Sequence, residues 1–253
     1  MDTDSLFTFF ANKMSNVTHD ILGGSTVLFD IGFEFDGYFD KLKQYSDATF
    51  VKHGATKTVL YFKDMPQYVF KIPITGVYTP FSDSLEYAEE CITKECDDDI
   101  YSEDYDCLEF SNYCGAGLNI DGFFQDDNYC EVETFLTKQA QKENIDCCFA
   151  KTFFIGTYNG FKIYCSEYVD TLMSNPDVYD SIRVSEKNKY RASLVKNCEL
   201  EDIAEFYECY GDDTVNKLLG FINKYDIKDF HCENIGVTKD AMIKIIDYSS
   251  FNE

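Results

Sequence analysis

The residues best suited to chemistry lie near the end of the sequence, where Asp229-Phe230-His231-Cys232-Glu233-Asn234 sets a carboxylate, four residues and then a carboxamide. Further on, Ile245-Ile246-Asp247-Tyr248-Ser249 ends an apolar run in a second carboxylate. Phosphoryl transfer asks for this kit: one carboxylate orients or deprotonates the attacking hydroxyl, while an amide oxygen and another carboxylate hold magnesium against the β- and γ-phosphates. Taken alone, Asp229 could equally cap a turn and Asn234 could satisfy backbone groups. The added spacing to Asp247 at a strand end is what makes the pattern informative.

Those residues need elements to hold them. Ile235–Val237 and Ile243–Ile246 flank a turn at Lys239-Asp240, which predicts a hairpin between Asn234 and Asp247. Upstream, 175–225 reads as helical, with segments over 177–196, 200–210 and 214–224. Before it, strand-like runs 150–158 and 161–168 are joined by Asn159-Gly160, a strong hairpin signal. Val132, Phe135, Leu136 and Ala140 recur at helical spacing and predict an amphipathic helix over 129–142. Two β-rich runs, 57–63 and 68–72, flank a turn with Asp64 and Pro66 and predict a further hairpin. Residues 1–45 carry no spacing tied to chemistry. Residues 76–128 read as an insertion with an acidic stretch at 95–106, where Asp97, Asp98 and Asp99 lack the alternating ligands and turn glycine of a calcium loop.

Composition narrows the function classes. A formal charge of −24 repels phosphate backbones and acidic membrane surfaces, so neither nucleic acid nor membrane is an expected partner. The same charge would suit a non-catalytic module that engages a basic partner. No run approaches the ~20 apolar residues of a membrane span, and acids open the sequence where a signal peptide carries basic residues. A cytoplasmic protein is expected, in the host cell if it is virus-encoded. The 11 cysteines are odd in number and include no CxxC pair, and the spacings of Cys91 with Cys96 and Cys107 with Cys114 match no common zinc site, so reduced thiols are expected.

The Asp229–Asn234 segment and Asp247 resemble the catalytic loop and metal-binding aspartate of the protein-kinase family. The resemblance implies Asp229 as catalytic base and Asn234 and Asp247 as magnesium ligands. Tyr68-Val69-Phe70-Lys71-Ile72-Pro73 resembles the family's third strand, implying that Lys71 contacts the α- and β-phosphates of ATP and pairs with a helix glutamate. Glu131 is the preferred partner, with Glu133 the alternative; on residue type alone either is a solvated helix flank. His53-Gly54-Ala55-Thr56-Lys57 stands where a glycine-rich loop belongs, which assigns Gly54 and Lys57 to the nucleotide, although it has one glycine in place of three. Ser166-Glu167-Tyr168-Val169-Asp170 stands where the hinge belongs, with backbone groups of Glu167 and Val169 meeting adenine.

The pattern departs from the family in places. His231 replaces a lysine, and Asp-x-His-x-x-Asn is similar to the loop of aminoglycoside and choline phosphotransferases. Ile227-Lys228 stands for the His-Arg before the catalytic Asp, and Ser249 for the glycine after the metal-binding pair. The resemblance runs from about Phe50 to Phe251 and is greatest to small kinase-like proteins encoded by bacteriophages. It implies an α+β fold of two lobes: a β-rich N-lobe over 50–169, preceded by an extension over 1–49, and a short helical C-lobe over 170–253. Six residues follow Asp247, so the activation segment and peptide platform of a regular protein kinase are not expected. The expected activity is an ATP- and magnesium-dependent transfer of phosphate to a protein hydroxyl; the alternatives are an inactive kinase-like inhibitor module and a small-molecule kinase.

Overall fold

The computed structural model describes residues 2–18, 21, 38–53, 57–73, 129–196, 200, 202–228 and 230–248. They form a mixed α+β structure with a five-stranded antiparallel sheet, a small three-stranded sheet and helices. In chain order the elements are α1 (Thr3–Lys13), α2 (Tyr38–Ser46), β1 (Phe50–His53), β2 (Lys57–Tyr61), β3 (Tyr68–Pro73), α3 (Tyr129–Glu143), a 3₁₀ turn (Asp146–Cys148), β4 (Thr152–Tyr158), β5 (Phe161–Glu167), β6 (Asp170–Thr171), α4 (Pro176–Asp180), α5 (Glu186–Leu194), α6 (Ile203–Tyr225), β7 (Ile235–Val237) and β8 (Ile243–Ile245). Among the described residues no helix is long and apolar enough to cross a membrane.

The chain divides into two compact units. The first takes its described residues from those before 74, from 129–131 and from Phe153–Ser166. Its sheet runs β1-β2-β3-β5-β4, and the β4–β5 turn has φ of +49° at Asn159 and +88° at Gly160, the left-handed pair that a two-residue hairpin turn requires. The alternation of β2 and β3 puts Leu60, Phe70 and Ile72 into an aromatic core, where Phe70 packs 5.4 Å from Phe10 and 5.6 Å from Phe62. Phe10 comes from α1, an element that periodicity left unassigned. That helix is capped by Asp2, whose carboxylate accepts from Ser5 N–H at 2.8 Å, and Lys13 in its last turn donates to Asp64 at 2.7 Å and Asp47 at 3.2 Å.

The second unit takes its described residues from Val132–Thr152 and from Glu167 onward. Its core joins Val132, Leu136 and Ala140 of α3 to Phe206, Leu218 and Phe221 of α6 and to the apolar residues of β7 and β8. The 177–196 segment forms two short helices instead of one, because α5 restarts at Ser185, whose hydroxyl accepts from Asn188 N–H. The two helical segments expected over 200–210 and 214–224 follow one another in α6, which breaks between them at Gly211, where φ is +74°, a value glycine adopts at little cost. β7 is the central strand of the small sheet, between β6 and β8, and Phe149 makes a parallel bridge to Ile245.

Gly236 sits at the middle of β7 because nothing larger fits: a Cβ there would lie 2.6 Å from the Asp170 carbonyl oxygen and 2.7 Å from a Val169 methyl. Gly236→Ala is expected to lower stability by about 1–3 kcal/mol, the cost of overpacking a tight site. Urea denaturation followed by circular dichroism measures it; an unchanged midpoint would mean that β6 can move aside.

Candidate functional site

In the second unit the β7–β8 hairpin brings two of the expected site residues to one end of the same small sheet. Ile235 pairs with Ile245, and Ile246 N–H donates to the Asn234 carbonyl at 3.0 Å, so Asn234 and Asp247 flank the last rung of one ladder. The turn before Asn234 is closed by its own N–H, which donates to the His231 carbonyl at 2.8 Å. The His231 ring is part of the same turn: Nδ1 accepts from Glu233 N–H at 3.2 Å, and Nε2 lies 2.9 Å from the Asn234 carboxamide nitrogen. Asp229 lies outside the described residues; Phe230 beside it is buried in the core, as is Ile227.

The residue after Asp247 is anchored in the interior by side-chain hydrogen bonds. Tyr248 is fully buried, and its hydroxyl lies 2.6 Å from the Thr137 hydroxyl and donates to the Ala150 carbonyl at 3.0 Å. Thr137 also accepts from Thr152 N–H at 3.1 Å, and the Thr152 hydroxyl donates to Glu133 at 2.7 Å. Burial holds the Tyr248 phenol well above its ordinary range, with the Glu133 carboxylate as the next cause. The hydroxyl therefore stays protonated; its contribution to stability is complete below the ordinary tyrosine range and is lost as pH rises through and beyond that range.

The two candidate glutamates of α3 have different surroundings. Glu131, in the first unit, is bonded by Lys162 and by the Tyr164 hydroxyl at 3.0 Å. Glu133, in the second, has 0% of its surface exposed. Lys71 lies on β3 and is 5% exposed, so it is not the solvated strand lysine that its residue type alone would give. Lys57 opens β2 and is also buried, while Gly54 lies outside the described residues. In the hinge segment the Glu167 carboxylate takes both oxygens' worth of bonding from Lys244 Nζ, at 2.8 and 2.7 Å, and Glu167 N–H donates to the Lys151 carbonyl. Val169 is buried against Gly236.

Sequence reasoning missed Tyr248, Thr137, Thr152 and Lys244. A signal existed for Thr137, which follows Glu133 by one helical turn and so shares its face. Nothing in residue type marked Tyr248 as a hydrogen-bonded anchor.

Among the described residues no group of three His, Cys, Asp or Glu side chains is placed to hold a metal ion. One carboxylate and one carboxamide, both offering hard oxygen donors, are what Asp247 and Asn234 present, a set that fits a magnesium ion sharing its remaining positions with phosphate and water. Compared with known proteins, the chain matches no protein-family model, no curated protein and no solved structure.

Removing Glu133 leaves a buried volume and takes the acceptor from the Thr152 hydroxyl. Glu133→Ala is therefore expected to cost about 2–4 kcal/mol, against about 1 kcal/mol or less for Glu131→Ala, whose ion pair with Lys162 lies at the surface. Chemical denaturation of the two variants gives the comparison, and equal losses would contradict the assignment of the buried role to Glu133.

Proposed function

We propose that the protein is an ATP- and magnesium-dependent phosphotransferase of protein-kinase-like type that acts on a protein hydroxyl. The observation that carries the reading is the β7–β8 ladder, which joins Asn234 and Asp247 at one hairpin end in the order and spacing of a kinase metal site. Further support comes from element order: a buried lysine on the third strand, a helix with a buried glutamate after it, a hairpin, helices, then the loop and hairpin. In this reading the helix glutamate is Glu131 or Glu133: Glu131 is bonded by Lys162 and Tyr164, and Glu133 by the Thr152 hydroxyl.

The roles follow from side-chain chemistry. Asp229 orients or deprotonates the acceptor hydroxyl, and Lys71 neutralises charge on the α- and β-phosphates. Asn234 and Asp247 hold magnesium, which when bound neutralises charge developing on the transferred group. The Glu167 carbonyl and the Val169 backbone meet the base, since the Glu167 N–H already donates within the chain.

A second reading, a non-catalytic module that occupies a basic partner, is favoured by the charge of −24. Transfer of labelled γ-phosphate from magnesium-ATP to proteins of a cell lysate separates the two. Label is expected with the natural sequence and is expected to fall by about 10²–10⁴-fold in Asp229→Ala, the contribution of a positioned acid–base group. Equal absence of label in both would leave the binding-module reading.

A further inference from the structure

The 3₁₀ turn of the second unit carries two consecutive thiols that the phosphotransferase reading does not use. Cys147 is exposed and Cys148 buried, and their sulfurs lie 4.0 Å apart, close enough for the S–H of one to donate weakly to the other. The two are unequal. Contact with Cys148 holds the Cys147 thiol down to about 6, against its own partial burial and the Asp146 carboxylate, which is paired with Lys151 at 2.6 Å. The same contact, with burial and the nearby Cys209, pushes Cys148 up, so the proton between them stays on the buried sulfur. An exposed thiolate with a protonated thiol against it is suited to attack a soft electrophile. Cys232 is exposed too, but among the described residues it makes no sulfur contact.

We propose that Cys147 and Cys148 form a reversible oxidation site for a peroxide, with Cys147 as the attacking sulfur and Cys148 as the resolving one. In the first step the Cys147 thiolate attacks one oxygen of hydrogen peroxide, the O–O bond breaks, and the departing hydroxide takes a proton to become water; the sulfur is left as a sulfenic acid. In the second, the Cys148 sulfur attacks that of Cys147, the S–S bond forms, and the sulfenic hydroxyl leaves with the Cys148 proton as a second water. Consecutive Cα atoms stand about 3.8 Å apart, closer than the roughly 4.4–6.8 Å of ordinary disulfides, so the product is strained and readily reduced. Strained disulfides are the labile, regulatory kind. The turn lies against the hairpin of the candidate site: the Tyr210 hydroxyl bonds the carbonyls of both Cys147 and Ile243, at 2.9 and 2.7 Å, and Ala150 N–H donates to the Ile245 carbonyl at 2.8 Å.

The experiment is treatment of the reduced full chain with hydrogen peroxide, followed by peptide mass mapping, for the natural sequence, Cys147→Ser and Cys148→Ala. In the natural sequence the peptide holding both cysteines is expected to lose two hydrogens and to regain them with dithiothreitol. Cys148→Ala is expected to stop at the sulfenic acid, which dimedone labels at Cys147, and Cys147→Ser to leave Cys148 unoxidised. Under iodoacetamide at pH 6, Cys147 of the natural sequence is expected to react about fivefold or more faster than Cys232, because its thiolate persists there while lower basicity offsets part of the gain. A disulfide from either residue to another cysteine, direct passage of Cys147 to sulfinic acid, or a Cys147 rate no greater than that of Cys232 overturns the inference. Both decisive measurements use the natural sequence, so a variant that fails to fold does not remove the test.

Discussion

The second unit depends on a simple requirement: a hydroxyl carried into the interior must keep its hydrogen bonds. Tyr248 meets it with partners from separate parts of the chain, the Thr137 side chain on α3, the Ala150 carbonyl between the 3₁₀ turn and β4, and the Thr152 hydroxyl at the start of β4. Because Thr137 also receives the Thr152 N–H, and Thr152 in turn donates to Glu133, the helix, the strand and the tail share one polar cluster within an otherwise apolar core. A half-satisfied cluster of this kind is worse than none, so each member restricts the others. The tail is thus fixed at the residue that immediately follows Asp247, and the position of that carboxylate follows from the buried phenol as much as from its own strand.

Local patterns made much of the fold legible. The Asn159-Gly160 turn and the Ile-rich runs around Lys239-Asp240 each specify a hairpin by backbone preference and alternation, and β4–β5 and β7–β8 form where those signals lie. The helix over 129–142 closely matches α3, because its apolar residues recur at a single period. Helix α1 escaped notice because its phenylalanines are spread round the helix: Phe10 faces the core fully, while Phe7 and Phe9 pack at its margin. Periodicity predicts one continuous segment over 177–196 because the helix restart at Ser185 depends on a cap, which periodicity does not register.

The candidate site was legible only where chemistry and spacing coincide. Asn234 and Asp247 could be picked out because a hairpin of known length joins them. The difference between Glu131 and Glu133 could not, since both are helix glutamates two positions apart and only the packing decides which meets Thr152 and which meets Lys162. Burial of Lys57 and Lys71 was hidden for the same reason: alternation assigns them to one face without saying what covers that face.

The bridge between Phe149 and Ile245, and the bonds that Tyr248 sends to Thr137 and Ala150, join segments about a hundred residues apart in sequence. Contacts of such range carry a loop-closure entropy that must be met before they return any stability. The helices of the second unit can form early from local contacts, but its small sheet and hydroxyl cluster must wait for a slow search. Refolding kinetics should therefore show the Tyr248 environment maturing after helical signal is regained, with the Asn234–Ile246 end of the hairpin among the last parts of the second unit to acquire its native arrangement.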